Sequence, residues 1–377
     1  MVFDKMSRRW PVALTGVFSM LMASSAQAEY ALNMTKGVTP LSRELYGLHM
    51  LVFSICVVIG VAVFGAMAWS ILHHRKSKGA EAASFHESTT VEIIWTVAPL
   101  LILIAIAIPA TATLIDLEDA KTNADINLQV TGIQWKWKYT FVDEDVSFIS
   151  SLAQSSRDVI KDPTGHENYL LEVDEPIVLP INKKIRFLFH SEDVLHAWWV
   201  PALAVKQDAI PGYINDSWAV IEEPGVYRGQ CAELCGKDHG FMPIVVHAVT
   251  EGEFNQWIAS KKSEAAAMAA AAEQEFSKQD LLAKGEAVYL TNCSACHGPT
   301  GAGIPGAFPA MTGNPIVNGD LAEHMNVVMN GKAGTAMAAY KGQLNDIDLA
   351  AVITFERNSL GNSVGDMVQP SAIKNAR

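Results

Sequence analysis

Apolar residues along this chain come first in long blocks, then in short ones, and finally at helical spacing. The opening block, Trp10 to Ala23, follows Lys5, Arg8 and Arg9 and runs out at Ala26-Gln27-Ala28. It is short for a bilayer crossing. Its basic start and small-residue exit predict a secretory signal over 1–28 cleaved after Ala28, with a retained first membrane helix as the alternative. Gly47 to Leu72 and Ile93 to Leu114 are each long enough to cross a hydrocarbon core of about 30 Å as a helix. The basic stretch His73-His74-Arg75-Lys76-Ser77-Lys78 between them predicts a cytoplasmic turn, and Asp116, Glu118 and Asp119 suit the outer surface. Pro99 and Pro109 are tolerated where neighbouring helices satisfy the freed carbonyls. The pattern predicts a membrane hairpin over 29–118 with everything after it exported.

Beyond residue 124 the period changes. Short β-rich runs occur at Ile126–Ile133, Tyr169–Val173, Ile177–Ile181, Ile185–Phe189, Trp218–Ile221 and Ile244–Val249. Turn sequences such as Asp174-Glu-Pro176, Asn182-Lys-Lys184 and Glu222-Glu-Pro-Gly225 separate them, which predicts an antiparallel sandwich or barrel over 119–260. Lys261 to Glu275 is rich in alanine with no convincing core face; it reads as a linker over 261–276, semi-rigid where the alanines form helix. A separate all-α unit follows over 277–377. Ser277 is placed to cap a helix whose Leu281, Leu282, Val288 and Tyr289 share one face. Gly285 and Tyr289 of that helix are expected to pack on Phe355 of a closing helix from Asp346 to Asn358.

The length of 377 residues suits two or three domains. A formal net charge of -12 argues against a nucleic-acid partner and suits one with a basic face. Of five cysteines, four fall in two tight clusters, a ligand pattern rather than a disulfide framework. The fifth, Cys56, lies in an apolar run and is expected to be a packed small side chain.

The first cluster is Cys231-Ala-Glu-Leu-Cys235-Gly-Lys-Asp-His239-Gly-Phe-Met242. Two thiols, an imidazole and a thioether lie within one turn of chain that Gly236 and Gly240 can relax. A Cys231–Cys235 disulfide and a zinc site completed by another histidine are open alternatives. Thioether sulfur partners zinc poorly, so the softness of the set favours copper. The second cluster, Cys293-Ser-Ala-Cys296-His297, is the C-x-x-C-H spacing of covalent haem c attachment, in which both thiols bond the porphyrin and the histidine ligates iron; a redox C-x-x-C is the alternative. A methionine is expected opposite the histidine. Met311, Met325, Met329 and Met337 compete, and Met337 is preferred because it follows Gly334-Thr-Ala336 in a loop, whereas Met325 and Met329 have helical spacing suited to packing.

With these motifs assembled, the chain resembles subunit II of haem–copper cytochrome c oxidases in the form that carries a fused cytochrome c domain. The resemblance covers essentially all of the mature chain. It implies a two-helix transmembrane hairpin, a cupredoxin-like domain and a class I cytochrome c domain. The Cys231–Met242 stretch is similar to the family's binuclear copper (CuA) signature, and Ser191-Glu-Asp-Val-Leu-His196-Ala-Trp198 to the motif that supplies the remaining histidine. By that resemblance Cys231 and Cys235 bridge both coppers, His196 and His239 bind one each, and Met242 and the Glu233 carbonyl complete the pair. His196 taken alone would read as a core histidine beside Trp198 and Trp199. Gln134-Trp-Lys-Trp-Lys-Tyr139 resembles the aromatic segment through which electrons reach copper, making Trp135 their point of arrival. The family usually has an aromatic where this chain has Lys136. Glu92, in Thr90-Val-Glu-Ile-Ile-Trp95, matches the glutamate at a proton channel's cytoplasmic mouth. The Glu233 side chain resembles the one that reaches a magnesium ion shared with subunit I.

The function implied is electron input to a proton-translocating oxidase in a bacterial inner membrane. Soluble cytochrome c would be the donor, subunits I and III the partners, and both exported domains would lie on the periplasmic side. A quinol-oxidising relative would have lost the copper ligands. A membrane-tethered carrier without an oxidase partner would need neither Glu92 nor the Glu233 carboxylate.

Overall fold

The computed structural model describes residues 33–81, 84 and 86–377, so the segment expected to be a signal lies outside the described residues. Two long helices come first, α1 (Pro40–His73) and α2 (Thr89–Glu118). Their most apolar windows have mean hydropathy 2.7 and 2.5 and are not buried within the chain. Helices that are apolar all round and still bare match membrane spans. Cys56 is exposed on α1 rather than packed as expected, because α1 contacts so little of its own chain that the residue points outward.

Both helices extend past their apolar runs, and the extensions dock on the β domain. Thr39 and Ser42 cap the start of α1 reciprocally, with Pro40 in the first turn. Leu41 is buried there, Val38 N donates to the Ala202 carbonyl at 2.9 Å, and Thr39 Oγ1 donates to the Leu203 carbonyl at 3.2 Å. At the outer end of α2, Trp218 Nε1 donates to the Asp116 carbonyl at 3.0 Å and Lys184 Nζ to the Asp119 carbonyl at 2.6 Å. The hairpin therefore holds the β domain at a set height and orientation over the membrane.

Ten strands follow: β1 (Ile126–Ile133), β2 (Lys136–Phe141), β3 (Val146–Ser150), β4 (Ile177–Pro180), β5 (Lys184–Ser191), β6 (His196–Val200), β7 (Val205–Ala209), β8 (Asn215–Val220), β9 (Gly225–Cys231) and β10 (Pro243–Val249). They form two five-stranded sheets, ordered β3-β2-β1-β5-β8 and β4-β10-β9-β6-β7. The expected purely antiparallel pairing is corrected at two places: β1 runs parallel to β5, Ile126 opposite Ile185, and β4 parallel to β10, Ile177 opposite Val246. Parallel neighbours need long crossovers, and the intervening segments supply them. Tyr169–Val173 is not a strand. Asn168 and Leu170 have φ of 58° and 60°, which breaks extended backbone, and only a lone bridge joins Leu152 to Val173.

Alternation fills the space between the sheets: along β5, Ile185, Phe187 and Phe189 point inward. They meet Trp137, Tyr139 and Trp198, all fully buried, with Trp198 Nε1 satisfied by the Tyr139 hydroxyl at 3.2 Å. α3 (Glu251–Ala272) starts from a reciprocal cap between Thr250 and Glu253. Its Phe254 and Ile258 are buried, and Trp257 packs edge-on against Phe141 and Phe148. Most of the segment expected as a linker is therefore the outward continuation of a helix anchored on the sandwich.

The C-terminal unit consists of α4 (Lys278–Asn292), α5 (Leu321–Asn330), α6 (Asp346–Asn358) and α7 (Pro370–Ala376), joined by loops that include single helical turns at Ser294–His297 and Pro315–Asn318. Ser277 caps α4 as expected, accepting from Asp280 N. α4 crosses α6 at Gly285, where a Cβ would lie 2.2 Å from the Ala351 carbonyl oxygen, and the Tyr289 and Phe355 rings pack 5.6 Å apart. Met325 and Met329 are buried in this core, in the packing role expected of them.

Candidate metal centre and haem-attachment site

β9 ends at Cys231, and the loop from there to β10 carries Cys235, His239 and Met242. β6 begins at His196, which faces the same place from the neighbouring strand, since Trp198 pairs with Cys231. Cys231 Sγ lies 3.9 Å from His196 Nδ1, 3.8 Å from Cys235 Sγ and 3.3 Å from the Glu233 carbonyl oxygen. Cys235 Sγ lies 3.4 Å from His239 Nδ1 and 3.4 Å from Met242 Sδ. All six expected donors therefore converge. Both cysteines are free and buried, so the disulfide alternative falls.

The donor set fits two copper ions sharing two thiolates. Two thiols, two imidazoles and a thioether are soft or borderline donors, the set that copper takes and zinc takes poorly. The hydrogen bond from Cys235, with others from His196 and the backbone, outweighs burial and lowers the Cys231 pKa far below the thiol range. That same bond, together with burial, raises Cys235.

Two neighbours that the sequence reading did not single out position His196. Asp193 Oδ1 accepts from His196 Nε2 at 2.9 Å, which leaves Nδ1 directed at the sulfur. Burial works to raise the Asp193 pKa, but bonds from His196 and from the backbone N–H groups of Gln134 and Val194 prevail and hold it low. Gly132 on β1 supplies the space, because a Cβ there would lie 2.7 Å from His196 Cδ2. The only hint in the sequence was the spacing of Asp193, three residues before His196. In the loop, Gly236 takes φ of 113°, as its expected role requires, whereas Gly240 does not adopt a positive φ and is dispensable on that ground.

Trp135 lies against the loop: its Nε1 and Gln134 Nε2 both donate to the Cys235 carbonyl, at 3.1 and 2.9 Å. Glu92 is elsewhere, exposed in the first turn of α2 at the end remote from the sandwich.

In the helical unit, Cys293, Cys296 and His297 line a cavity of about 320 Å³ whose walls include Met311, Met337 and Tyr340. Met325 and Met329 do not line it, so the four methionine candidates fall to two, both in loops, of which Met311 is buried and Met337 the more exposed. His297 Nδ1 lies 2.9 Å from the Pro309 carbonyl, which makes it the protonated nitrogen and leaves Nε2 free to ligate. Burial raises the pKa of both thiols, the reverse of a reactive redox C-x-x-C pair. The buried His324, also on the wall, bonds Glu356 through Nε2 at 3.0 Å, while its Nδ1 has no partner among the described residues. An apolar slot with two thiols, a pre-aimed imidazole and a loop methionine fits haem c.

Comparison with known proteins matches the same three parts. Residues 27–112 match the family profile "Cytochrome C oxidase subunit II, transmembrane domain", 126–249 the profile of its "periplasmic domain", and 280–355 "Cytochrome C oxidase, cbb3-type, subunit III". The chain is 35% identical over 250 residues to a probable cytochrome c oxidase subunit 2 of Rickettsia bellii, covering 66% of this chain and 91% of that protein. It is 34% identical to cytochrome c oxidase subunit 2 of Arabidopsis thaliana over 66% of this chain and 96% of that one. Among solved structures, the periplasmic domain of subunit II of cytochrome oxidase of Bradyrhizobium japonicum is 42% identical over 37% of this chain and 96% of that chain, with a TM-score of 0.33.

Proposed function

The chain belongs to the cytochrome c oxidase subunit II family, carrying a cytochrome c domain at its C-terminal end, and from that premise we propose how its residues perform electron input. It is a membrane-anchored subunit of an oxidoreductase complex whose oxygen-reducing site lies in subunit I. A binuclear copper centre and a haem c, when bound, each take up and give up single electrons. The chain's own residues hold these groups still. His196, Cys231, Glu233 (through its carbonyl), Cys235, His239 and Met242 would hold the copper pair. They project from a stiff sandwich that keeps the ligands from rearranging as charge changes. Cys293, Cys296, His297 and Met337 would hold the haem; thioether ligation by Met337 suits a high potential.

Soluble cytochrome c delivers electrons to the helical domain, and Trp135 receives them for the copper domain. Support for Trp135 is its hydrogen bond to the Cys235 carbonyl, a short path into the copper loop. Leu195 and Leu234, beside two copper ligands, expose apolar surface that suits subunit I, with subunit III as a further neighbour. The Glu233 carboxylate has no hydrogen-bond or ion-pair partner among the described residues, which leaves it free for a magnesium ion at that boundary. Glu92 stands at the cytoplasmic end of α2, where a carboxylate can take up protons for the partner's channel. The location is the inner membrane of a bacterium, with both domains in the periplasm.

The observation that carries this reading is the six-donor cluster on a sandwich bearing a C-x-x-C-H domain on the same chain. Purified in mild detergent, the chain should come out with an oxygen-reducing subunit, and metal analysis should find two coppers and one haem c per chain beyond the metals that the partner subunit holds. A chain isolated alone with one haem c would be a membrane-tethered carrier, and zinc in place of copper would sink the metal assignment.

A further inference from the structure

On the face of the sandwich that carries Trp135, the next residue, Lys136, is only 8% exposed although it lies at the end of a strand. What covers it is the helical domain. Lys136 Nζ donates to Asn292 Oδ1 at 2.9 Å and sits 5.7 Å from the centre of the Tyr340 ring. The Tyr340 hydroxyl in turn donates to the Asn292 carbonyl at 2.9 Å, so the two partners form one preassembled socket. Asn292 immediately precedes Cys293. Around this point the domains meet twice more: Lys237 of the copper loop reaches the Ala295 carbonyl at 3.5 Å, and a Cβ on Gly342 would lie 3.5 Å from Lys138 Nζ.

We propose that Lys136 is the latch that sets the register of the haem-bearing domain on the copper-bearing one. It holds the Cys293–His297 loop over Trp135, so that this tryptophan serves the attached domain and not an outside donor. The inference rests on the functional reading above. It departs from the pattern implied by resemblance, in which an aromatic at this position would leave a flat surface for a soluble protein. An ammonium is a poor source of raw affinity here, because water must be stripped from it; burial lowers its pKa to about 8 despite the carboxylates of Asp174, Asp193 and Glu192 nearby. What a buried charge does supply is selectivity: only a docking that presents an acceptor and a ring face to Nζ avoids an unpaired charge. The chain of contacts Cys293–Asn292···Lys136–Trp135···Cys235 then joins the two sites without a solvent gap. The transfer it serves moves one electron from the haem-bearing to the copper-bearing domain, with no atom or proton exchanged.

The test uses the full chain in detergent with both groups loaded. The haem is reduced by a flash, and transfer to copper is followed at rising glycerol concentration. Hydrogen exchange of residues 134–137 is measured in parallel. Wild type should transfer at a rate indifferent to viscosity. Lys136→Met should slow transfer about tenfold, as expected when roughly one molecule in ten is docked in register. Its rate should become viscosity-dependent, and its 134–137 amides should exchange faster. Asn292→Ala should cost the same, and the double variant no more than either. Haem and copper spectra and midpoint potentials should not move. Unchanged transfer and exchange in Lys136→Met would overturn the latch. So would slower transfer that comes with a shifted potential, since Lys136 would then act on the driving force. If wild type lacks the copper spectrum, the functional reading fails instead, and the exchange comparison still decides the latch.

Discussion

His196 gains its role from residues that donate nothing to a metal. Asp193 fixes which ring nitrogen carries the proton, and Gly132 leaves room for the ring. Asp193→Asn keeps the shape but replaces a carboxylate acceptor with an amide. Copper affinity should fall about 10- to 100-fold, as for other carboxylates behind ligating histidines. Competitive copper titration of the full chain measures this, with far-ultraviolet dichroism to show that the fold persists; unchanged affinity would refute the orienting role. Cys231, Cys235, His239 and Met242 were legible from spacing because chemistry restricts such donors to a few residue types, whereas His196 and the Glu233 carbonyl entered only through the resemblance. Their supports were not, since a glycine in a strand and an aspartate in a loop have many ordinary reasons to be there.

At the scale of elements, the closing helix α6 was legible to the residue because Asn345 caps it and its apolar positions leave no ambiguity. Strands β7 and β9 were not: Val205-Lys-Gln-Asp-Ala209 and Gly225-Val-Tyr-Arg-Gly-Gln-Cys231 hide their pattern behind polar residues, and only pairing, of β7 with β6 and of β9 with β10 and β6, makes them strands. The end of α6 also carries an ion pair that the pattern concealed. Arg357, buried, holds Asp366 with three contacts between 2.7 and 3.1 Å and reaches the Val317 and Gly319 carbonyls. The hydrogen bond from Arg357 holds the Asp366 pKa below its ordinary 3.8. A carboxylate lowered on folding contributes stability that is present above that ordinary value and lost as pH falls through the lower folded one. Thermal unfolding of the chain should therefore show the helical domain weakening below about pH 4. Asp366→Asn should remove that dependence and cost about 2 kcal/mol at neutral pH. That is less than for a fully buried pair, because a third-exposed carboxylate is partly screened.

For the whole molecule, the net charge of -12 is not evenly spread. Acidic residues outnumber basic ones 21 to 11 over residues 119–260 but only 8 to 7 over 277–377. A basic donor that meets the helical domain therefore meets a nearly neutral surface. Its rate of haem reduction should fall less than about tenfold between low and physiological salt, where direct attack on the acidic sandwich would fall more steeply. Stopped-flow reduction by a basic cytochrome c at several ionic strengths distinguishes the two. By itself the sequence determined the three-part layout, both cofactor motifs and the membrane hairpin. Each of these is written in local spacing: long apolar runs, short turns, and donors within a few residues of one another. Only the tertiary structure decided the two parallel strand pairs, the anchoring of α1 and α2 on the sandwich, the continuation of the linker as α3, and the burial of Lys136 against Asn292 and Tyr340. Those depend on residues distant in the chain coming into contact, and a lysine beside a tryptophan carries no mark of what will cover it.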